Sequence, residues 1–393
     1  MKGLIPGIIL SIFLIAPSFG AQYRAALVAD MDTGRVLYQE NANVQNYPAS
    51  LTKIMTLYLT FDALEHGRLH LDDYLIVSQS AASASPVKLG LTAGSKIKVE
   101  DAIKALTVLS ANDVARVLAE NLKGGMEGTF ATLMTRVANE IGLSGTHFEN
   151  SSGLPDDDHL STARDIALLS MAVYKHFPQY WKYFSIKTWT YNGKTYTNGN
   201  RLLRTYPGCD GMKTGYTNKS RYSLVATAAR NDHHLIAVVL GAESKDIRAN
   251  VATNMLNKGF DAIANDSAPV VVNTYTAPVA TSAKSVPATS NNTSTFASAY
   301  NAARAAAVPQ YAASRSKSGN RTGNAGVQFG AFSSQSAAQA QVASVKSALG
   351  VNAVIESAPN GMFRVRANNL SESAAKNIRN QCSGAGFDCY IFH

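Results

Sequence analysis

Residues Tyr47–Met55 read YPASLTKIM. A serine opens an apolar, helix-patterned stretch, and a lysine follows three residues later. The plain reading is a helix cap followed by a solvated lysine, because serine is a favoured N-cap. The sharper reading is a nucleophile and its base. Residues at i and i+3 share one helix face, so Ser50 and Lys53 would stand side by side. A serine three residues before a lysine recurs by chance, so the pair alone leaves the cap reading ahead. The rest of the chain has to decide.

At 393 residues the chain has room for a sizeable core and for two or three domains. Apolar content of 46% with 16% charged residues places it among globular proteins with a modestly charged surface. A net charge of +9 favours polyanionic partners: nucleic acid, anionic lipid or an acidic cell-wall polymer. The N-terminus chooses among them. MKGLIPGIILSIFLIAPSFGA places Lys2 before an apolar run from Ile8 to Ala16, then the small residues Ser18 and Gly20. That is the pattern of a secretory signal peptide over residues 1–20, cleaved near Gly20–Ala21. A retained anchor would need about 20 apolar residues, more than this run supplies. No later segment is apolar enough to cross a membrane, so no transmembrane segment is expected after cleavage. Export argues against nucleic acid and for an extracytoplasmic polymer. Of the three cysteines, Cys382 and Cys389 sit close together in CSGAGFDC, where an oxidising compartment can pair them; Cys209 is left over. All three also fit as small buried residues.

The chain divides by composition. Residues 21–264 look globular. ALVADMDTGRVLY alternates about the turn signal Asp32-Thr33-Gly34 and predicts a β-hairpin. Helical patterns follow at Leu51–His66, Val99–Leu122 and Phe130–Leu143. SRYSLVATAARNDHHLIAVVLGA then predicts two strands, and Ile247–Ile263 a helix. Strands at both ends with helices between predict an α/β unit whose termini share one antiparallel sheet. Residues 265–324 are rich in Ala, Ser, Thr, Pro and Asn, with too little apolar surface to offset chain entropy, and predict a flexible linker. Residues 325–393 return to order as βαββαβ, a compact α+β domain: VQFGAF, Ser336–Leu349, Ala353–Glu356, Met362–Ala367, Ser371–Cys382 and Cys389–Phe392.

Two further elements lie downstream of Ser50: Ser110-Ala111-Asn112 in LTVLSANDVA, and Lys213-Thr214-Gly215 in CDGMKTGYTNKSRYSLV. Each alone reads as an ordinary helix–loop junction or a turn before a strand. In this order, S-x-x-K, S-x-N and K-T-G form the signature of active-serine penicillin-binding proteins and related β-lactamases. The chain resembles the D-alanyl-D-alanine carboxypeptidase branch, the low-molecular-weight penicillin-binding proteins, through most of Gln22–Ile263. VADMDTGRVLY, NYPASLTKIMT, IKVEDAIKALTVLSANDVA, HFENSSGLP, STARDIALLS and GMKTGYT carry the resemblance. It implies a β-lactamase/transpeptidase-like domain, an antiparallel sheet with a helical subdomain, and makes Ser50 the nucleophile.

A serine hydroxyl attacks an amide only with a base in reach. Lys53 can serve if burial and a second cation, Lys213, lower its pKa. Ser110 can relay a proton to the leaving nitrogen, and Asn112 can hydrogen-bond the substrate amide. Gly215 lets its strand approach a substrate laid alongside. Thr214 offers a hydroxyl to the terminal carboxylate. By resemblance, the backbone N–H groups of Ser50 and Tyr216 form the oxyanion hole, and Arg248 helps bind the C-terminal carboxylate. Arg248 also reads plainly as a solvated arginine at a helix start. Glu140 in NEIGLS is the nearest imitation of a β-lactamase deacylating glutamate and reads as a solvated helix residue. Asp156-Asp157-Asp158-His159 lacks a partner cluster with ligand spacing and reads as an acidic surface loop, so no metal and no cofactor are expected.

Residues 325–393 resemble a SPOR domain, a module that binds peptidoglycan glycan strands, through AGVQFGAFSS, QSAAQAQVASVKSALG and MFRVRANNLSESAAKNIRNQC. Gln328, Phe329, Arg364 and Arg366 stand on its strands, with Gln328 and Arg366 the candidate glycan contacts. Phe329 also fits simple core packing. The resemblances together imply an exported, periplasmic, wall-associated serine carboxypeptidase acting on stem peptides, with β-lactams as covalent inhibitors. Endopeptidase or β-lactamase action by the same serine, and non-catalytic wall binding, are the alternatives.

Overall fold

The turn signal Asp32-Thr33-Gly34 produces the hairpin that starts the sheet. Asp30 accepts hydrogen bonds from the backbone N–H groups of Asp32 and Thr33 and from the Thr33 hydroxyl, and Gly34 takes the left-handed φ of 73° that closes the turn. Strands β1 (Ala25–Asp30) and β2 (Val36–Glu40) flank it, paired antiparallel. The computed structural model describes residues 22–272, 325–332, 334–357, 363–370, 372–385, 387 and 389–392. The expected signal peptide and most of the expected linker, residues 273–324, lie outside these. The described residues form two compact units, one within 22–272 and one within 325–392.

In the first unit a 3₁₀ turn, Ala49–Thr52, leads into α1 (Lys53–Glu65). There follow β3 (Tyr74–Ile76), α2 (Gln79–Ser83), β4 (Lys96–Lys98), α3 (Val99–Lys104), α4 (Asn112–Leu122), α5 (Glu127–Glu140) and α6 (Ala163–His176). Then come β5 (Thr188–Tyr191), β6 (Lys194–Thr197), α7 (Leu202–Thr205), β7 (Cys209–Thr217), β8 (Arg221–Arg230), β9 (His233–Ala242), α8 (Lys245–Ala264) and β10 (Val270–Val272). The main sheet runs β10-β2-β1-β9-β8-β7. All its pairs are antiparallel except β10–β2. The N- and C-terminal strands therefore share one sheet, as expected. Val270–Val272 differs: it lies inside the expected linker yet pairs with Tyr38–Glu40, because a run of three β-branched residues suits a ladder whatever surrounds it.

Side chains alternate across each strand, so the sheet serves two cores. Ala26 and Val28 on β1, and Leu224 and Ala226 on β8, pack with Leu256 and Phe260 of α8. Ala25, Leu27, Ala29 and Val225 pack on the opposite side, with Ile54, Leu57 and Phe61 of α1 and Val114 and Leu118 of α4. The expected helix Val99–Leu122 is broken. After α3 a π turn, Ala105–Leu109, ends at Ser110, which adopts left-handed φ 68° and ψ 37°. The restart at Asn112 is held by Asp113, whose carboxylate accepts the N–H groups of Leu89, Gly90 and Leu91 from the neighbouring loop.

The second unit contains β11 (Ala325–Phe332), α9 (Gln335–Leu349), β12 (Val354–Ser357), β13 (Phe363–Leu370), α10 (Glu372–Ala385) and β14 (Tyr390–Phe392), the expected βαββαβ order. Its sheet is β12-β13-β11-β14, antiparallel throughout. Val327, Phe329, Val365 and Ala367 face the helices with Ala338 and Val345. Phe329 is thus core packing. Cys382 and Cys389 form a disulfide across this small core, and Cys209 is free.

Gly259 sets how closely α8 lies on the sheet, since a Cβ there would stand 2.9 Å from both Leu235 Cδ1 and Val28 Cγ1. Gly259→Leu should overpack this contact and cost about 1–3 kcal/mol. Thermal unfolding of the variant tests this; an unchanged melting temperature would show that α8 does not depend on the close approach.

Candidate active site

Ser50 sits in the 3₁₀ turn rather than in α1 itself, and Lys53 is the first α-helical residue. The three-residue period of a 3₁₀ turn keeps positions i and i+3 aligned. Lys53 Nζ therefore donates to Ser50 Oγ at 3.0 Å. The same ammonium position donates to Asn112 Oδ1 at 2.8 Å and to the Ser152 carbonyl at 2.7 Å. Lys53 is fully buried. Burial, and next the charge of Lys213, hold its pKa well below the usual lysine range, against the pull of Glu127 and Asp113.

The turn is braced from outside. Ala49 takes a positive φ of 48°, and Gly153, at φ 83°, packs against it so closely that a Cβ would stand 1.8 Å from the Ala49 carbonyl oxygen. Only glycine fits there.

Ser110 reaches the site because the helix breaks beneath it. Its hydroxyl accepts from Lys213 Nζ at 2.9 Å, and Lys213 also donates to the Thr214 carbonyl at 3.0 Å. Burial, and then Arg248, lower the Lys213 pKa to about 7. Asn112, at the start of α4, uses both ends of its amide: Oδ1 on Lys53, and Nδ2 donating to the Ser85 carbonyl at 3.1 Å.

Lys213, Thr214, Gly215 and Tyr216 lie on β7, the last strand of the sheet order, whose outer edge has no strand partner among the described residues. A Cβ on Gly215 would stand 3.0 Å from the Pro48 carbonyl oxygen and 3.3 Å from Ser50 N. Gly215 thus lets β7 abut the Ser50 turn as well as leaving its edge open. Tyr216 is half exposed and stacks on Tyr222, with ring centroids 4.3 Å apart.

Arg248 stands in the first turn of α8, but it is buried rather than solvated, which corrects the plain reading. It donates one long bond, 3.4 Å, to the Ser223 carbonyl, and its Nε is buried without a hydrogen-bond partner. Burial, then Arg201, pull its pKa to about 10. A buried guanidinium next to Lys213 with donors unused is a site of excess positive charge, which an anion would neutralise.

Several participants carry no sequence signal of their own. Ser152 acts through its backbone carbonyl. Asn150 Oδ1 accepts the N–H groups of Ser152, Gly153 and Leu154 and so coils that loop, while Glu127 takes the Ser151 N–H and hydroxyl. The N-S-S-G run was the available clue, a turn signature whose purpose the residues alone do not state. The acidic loop is also revised. Asp156, Asp157 and Asp158 are exposed, but His159 is buried and bonded to Thr52. Glu140 is exposed and faces Arg136 at 3.7 Å.

In the second unit Gln328 and Arg366 stand opposite each other on β11 and β13. Arg366 Nε donates to Gln328 Oε1 at 2.7 Å, Nη1 donates to Glu356 at 2.9 Å, and the guanidinium lies 4.4 Å from the Phe392 ring centre. Gln328 is buried within this cluster, and Arg366 is partly exposed. Both lie on the sheet face away from the helices.

Residues 16–244 match the D-alanyl-D-alanine carboxypeptidase family, peptidase S11, and residues 322–392 match the SPOR domain. The chain is 34% identical over 285 residues to D-alanyl-D-alanine carboxypeptidase DacF of Bacillus subtilis, covering 66% of this chain and 71% of that protein. It is 38% identical over 252 residues to DacC of Escherichia coli, covering 62% of each. Penicillin-binding protein 5 from Haemophilus influenzae superposes with a TM-score of 0.59 at 31% identity, over 66% of this chain and 73% of that one. Penicillin-binding protein D2 from Listeria monocytogenes in its ampicillin-bound form superposes with a TM-score of 0.57 at 31% identity, over 62% of this chain and 100% of that one. The chain belongs to the D-alanyl-D-alanine carboxypeptidase family and carries a SPOR domain at its C-terminal end.

Proposed function

We propose that the chain is a serine-type D-alanyl-D-alanine carboxypeptidase that removes the terminal D-alanine from peptidoglycan stem pentapeptides. The reading rests on the 3.0 Å bond between Lys53 Nζ and Ser50 Oγ, made by a fully buried lysine. Neutral Lys53 keeps its two hydrogens on Asn112 Oδ1 and the Ser152 carbonyl, so toward Ser50 it turns acceptor and takes the hydroxyl proton as Oγ attacks the carbonyl carbon of the last peptide bond. The N–H groups of Ser50 and Tyr216 hold the oxyanion, each such donor being worth roughly a hundredfold or more in rate. Ser110, on Lys213, passes a proton to the nitrogen of the leaving D-alanine. Water then hydrolyses the Ser50 ester and restores the serine.

The substrate lies as an added strand along the open edge of β7. Thr214 and Arg248 take its C-terminal carboxylate, which supplies the anion that the buried guanidinium lacks. Asn112 holds Lys53 through Oδ1, and Nδ2, with one hydrogen on the Ser85 carbonyl, offers its other hydrogen to the carbonyl of the substrate amide. β-Lactams acylate the same serine, as the ampicillin-bound relative suggests. Glu140, exposed and facing Arg136, has no part in deacylation, which favours carboxypeptidase over β-lactamase action.

Residues 1–20 act as a signal peptide that sends the chain to the periplasm, and residues beyond β10 to 324 tether the catalytic domain to the SPOR domain. That module holds glycan strands through its Gln328–Arg366 face, raising the local concentration of stem peptides. Among the described residues no helix is long and apolar enough to cross a membrane.

Release of D-alanine from a pentapeptide ending in D-Ala-D-Ala should be readily measured for wild type and fall by a factor on the order of 10⁴ or more in Ser50→Ala. Equal release by both proteins, or none by wild type, contradicts the reading. For the wall-binding module, Arg366→Ala should weaken co-sedimentation with purified sacculi roughly tenfold, the worth of one charge-assisted hydrogen bond. Unaltered co-sedimentation would remove Arg366 from glycan contact.

A further inference from the structure

His159 follows three aspartates in sequence, yet its ring is buried against the edge of Phe148, with centroids 5.5 Å apart. Both ring nitrogens are engaged. The backbone N–H of Glu149 donates to Nδ1 at 3.1 Å, so Nδ1 carries the lone pair. Nε2 therefore carries the proton and donates to Thr52 Oγ1 at 2.7 Å. A second proton on the ring would set an N–H against the Glu149 N–H.

Thr52 directly precedes Lys53. Three bonds fasten the Glu149–His159 segment to the first turns of α1: His159 to Thr52, Lys53 to the Ser152 carbonyl at 2.7 Å, and Thr56 Oγ1 to the Ser151 carbonyl at 2.6 Å. Gly153, between them, packs so closely that a Cβ would stand 2.9 Å from the same Thr52 hydroxyl. Backbone bonds between Leu160 and His147 also hold the far end of the segment, but of the three bonds above the histidine bond is the one that joins that end to the Ser50 turn, and it touches no reacting group.

We propose that His159 is a positioning residue: as a neutral bridge between Thr52 and the Glu149 amide, it keeps the Ser152 carbonyl on Lys53 Nζ and keeps water away from that amine. The inference rests on Lys53 being the base for Ser50. It explains why a histidine is buried here among groups that need one donor and one acceptor a ring's width apart.

The charged groups around both residues define the pH range of the effect. Burial, then His147 and Lys53, act against Asp156 to hold the His159 pKa at about 4, so the ring stays neutral across the working range. Lys53 faces Lys213, Glu127 and Asp113, and burial is the largest cause of its lowered pKa. Loosening the segment admits water, weakens that cause and raises the Lys53 pKa. The amine is then protonated, and idle, up to a higher pH.

The test is the second-order rate of acylation of the full-length chain by a fluorescent penicillin between pH 5 and 10. His159→Leu should move the acid limb to higher pH by about one unit, which lowers the rate on that limb about tenfold. Thr52→Val, which removes the acceptor and keeps the ring, should shift it the same way. His159→Gln should restore the wild-type profile, because one amide can accept from Glu149 and donate to Thr52. The proposal is overturned if the limb stays in place in both His159→Leu and Thr52→Val, even with a uniformly lower rate, or if His159→Gln behaves like His159→Leu. If His159→Leu does not fold, Thr52→Val alone decides in the same terms. Lys53→Met serves as the separate control: normal acylation of that variant would sink the base assignment itself, whatever His159 does.

Discussion

Two lysines are buried within one small site, and the groups that surround them do not pay back the full cost of two charges. Lys53 has a hydroxyl, an amide oxygen and a backbone carbonyl for acceptors; Lys213 has a hydroxyl and a backbone carbonyl. Each burial pushes its amine toward the neutral form, and each lysine's neighbour adds to the effect: Lys213 acts on Lys53, and Arg248 on Lys213. Holding such groups dry costs stability, and it shifts the amine beside the Ser50 hydroxyl toward its neutral form.

Much of the fold works to maintain that condition. The sheet is covered on both faces, so the Ser50 turn and α1 rest on a rigid layer between two cores. The broken helix at Ser110 brings the second hydroxyl inward, and Asp113 pins the restart. The Asn150–Gly153 loop closes over the lysine from the other side. β7 is left at the edge, where it can meet both the Ser50 turn and an extended ligand.

The spacing of Ser50 and Lys53 was readable because a 3₁₀ turn and an α-helix both bring i and i+3 together, so the error about which of them holds Ser50 did no harm. The hairpin, the paired strands β8 and β9 and the βαββαβ order were likewise readable, since alternation and turn residues are local signals. The break at Ser110 was only half readable: Ser110-Ala111-Asn112 allowed a helix–loop junction, but apolar periodicity runs through Ala105–Leu109 and a left-handed serine leaves no mark in it. The solvated alternative for Arg248 and the surface-loop reading of His159 failed for one reason. Burial of a charged or titratable residue is decided by elements distant in sequence, and acidic or helix-start neighbours suggest solvent. Ser152 contributes a carbonyl that any residue possesses. Val270–Val272 was absorbed into a stretch defined by average composition, which hides a strand three residues long.

The central claim is that Lys53 is neutral at the pH where the chain works. Its ionisation can be followed directly by NMR of protein carrying ¹³Cε-labelled lysine, with Lys53→Arg used to identify the signal. The account predicts a resonance that titrates well below the ordinary lysine value of about 10.4, and that moves further down in pH when Glu127 is changed to Gln, since Glu127 is the leading group holding the proton on. A Lys53 signal that stays in the charged position up to about pH 10 would contradict it, and the base for Ser50 would have to be sought elsewhere in the site.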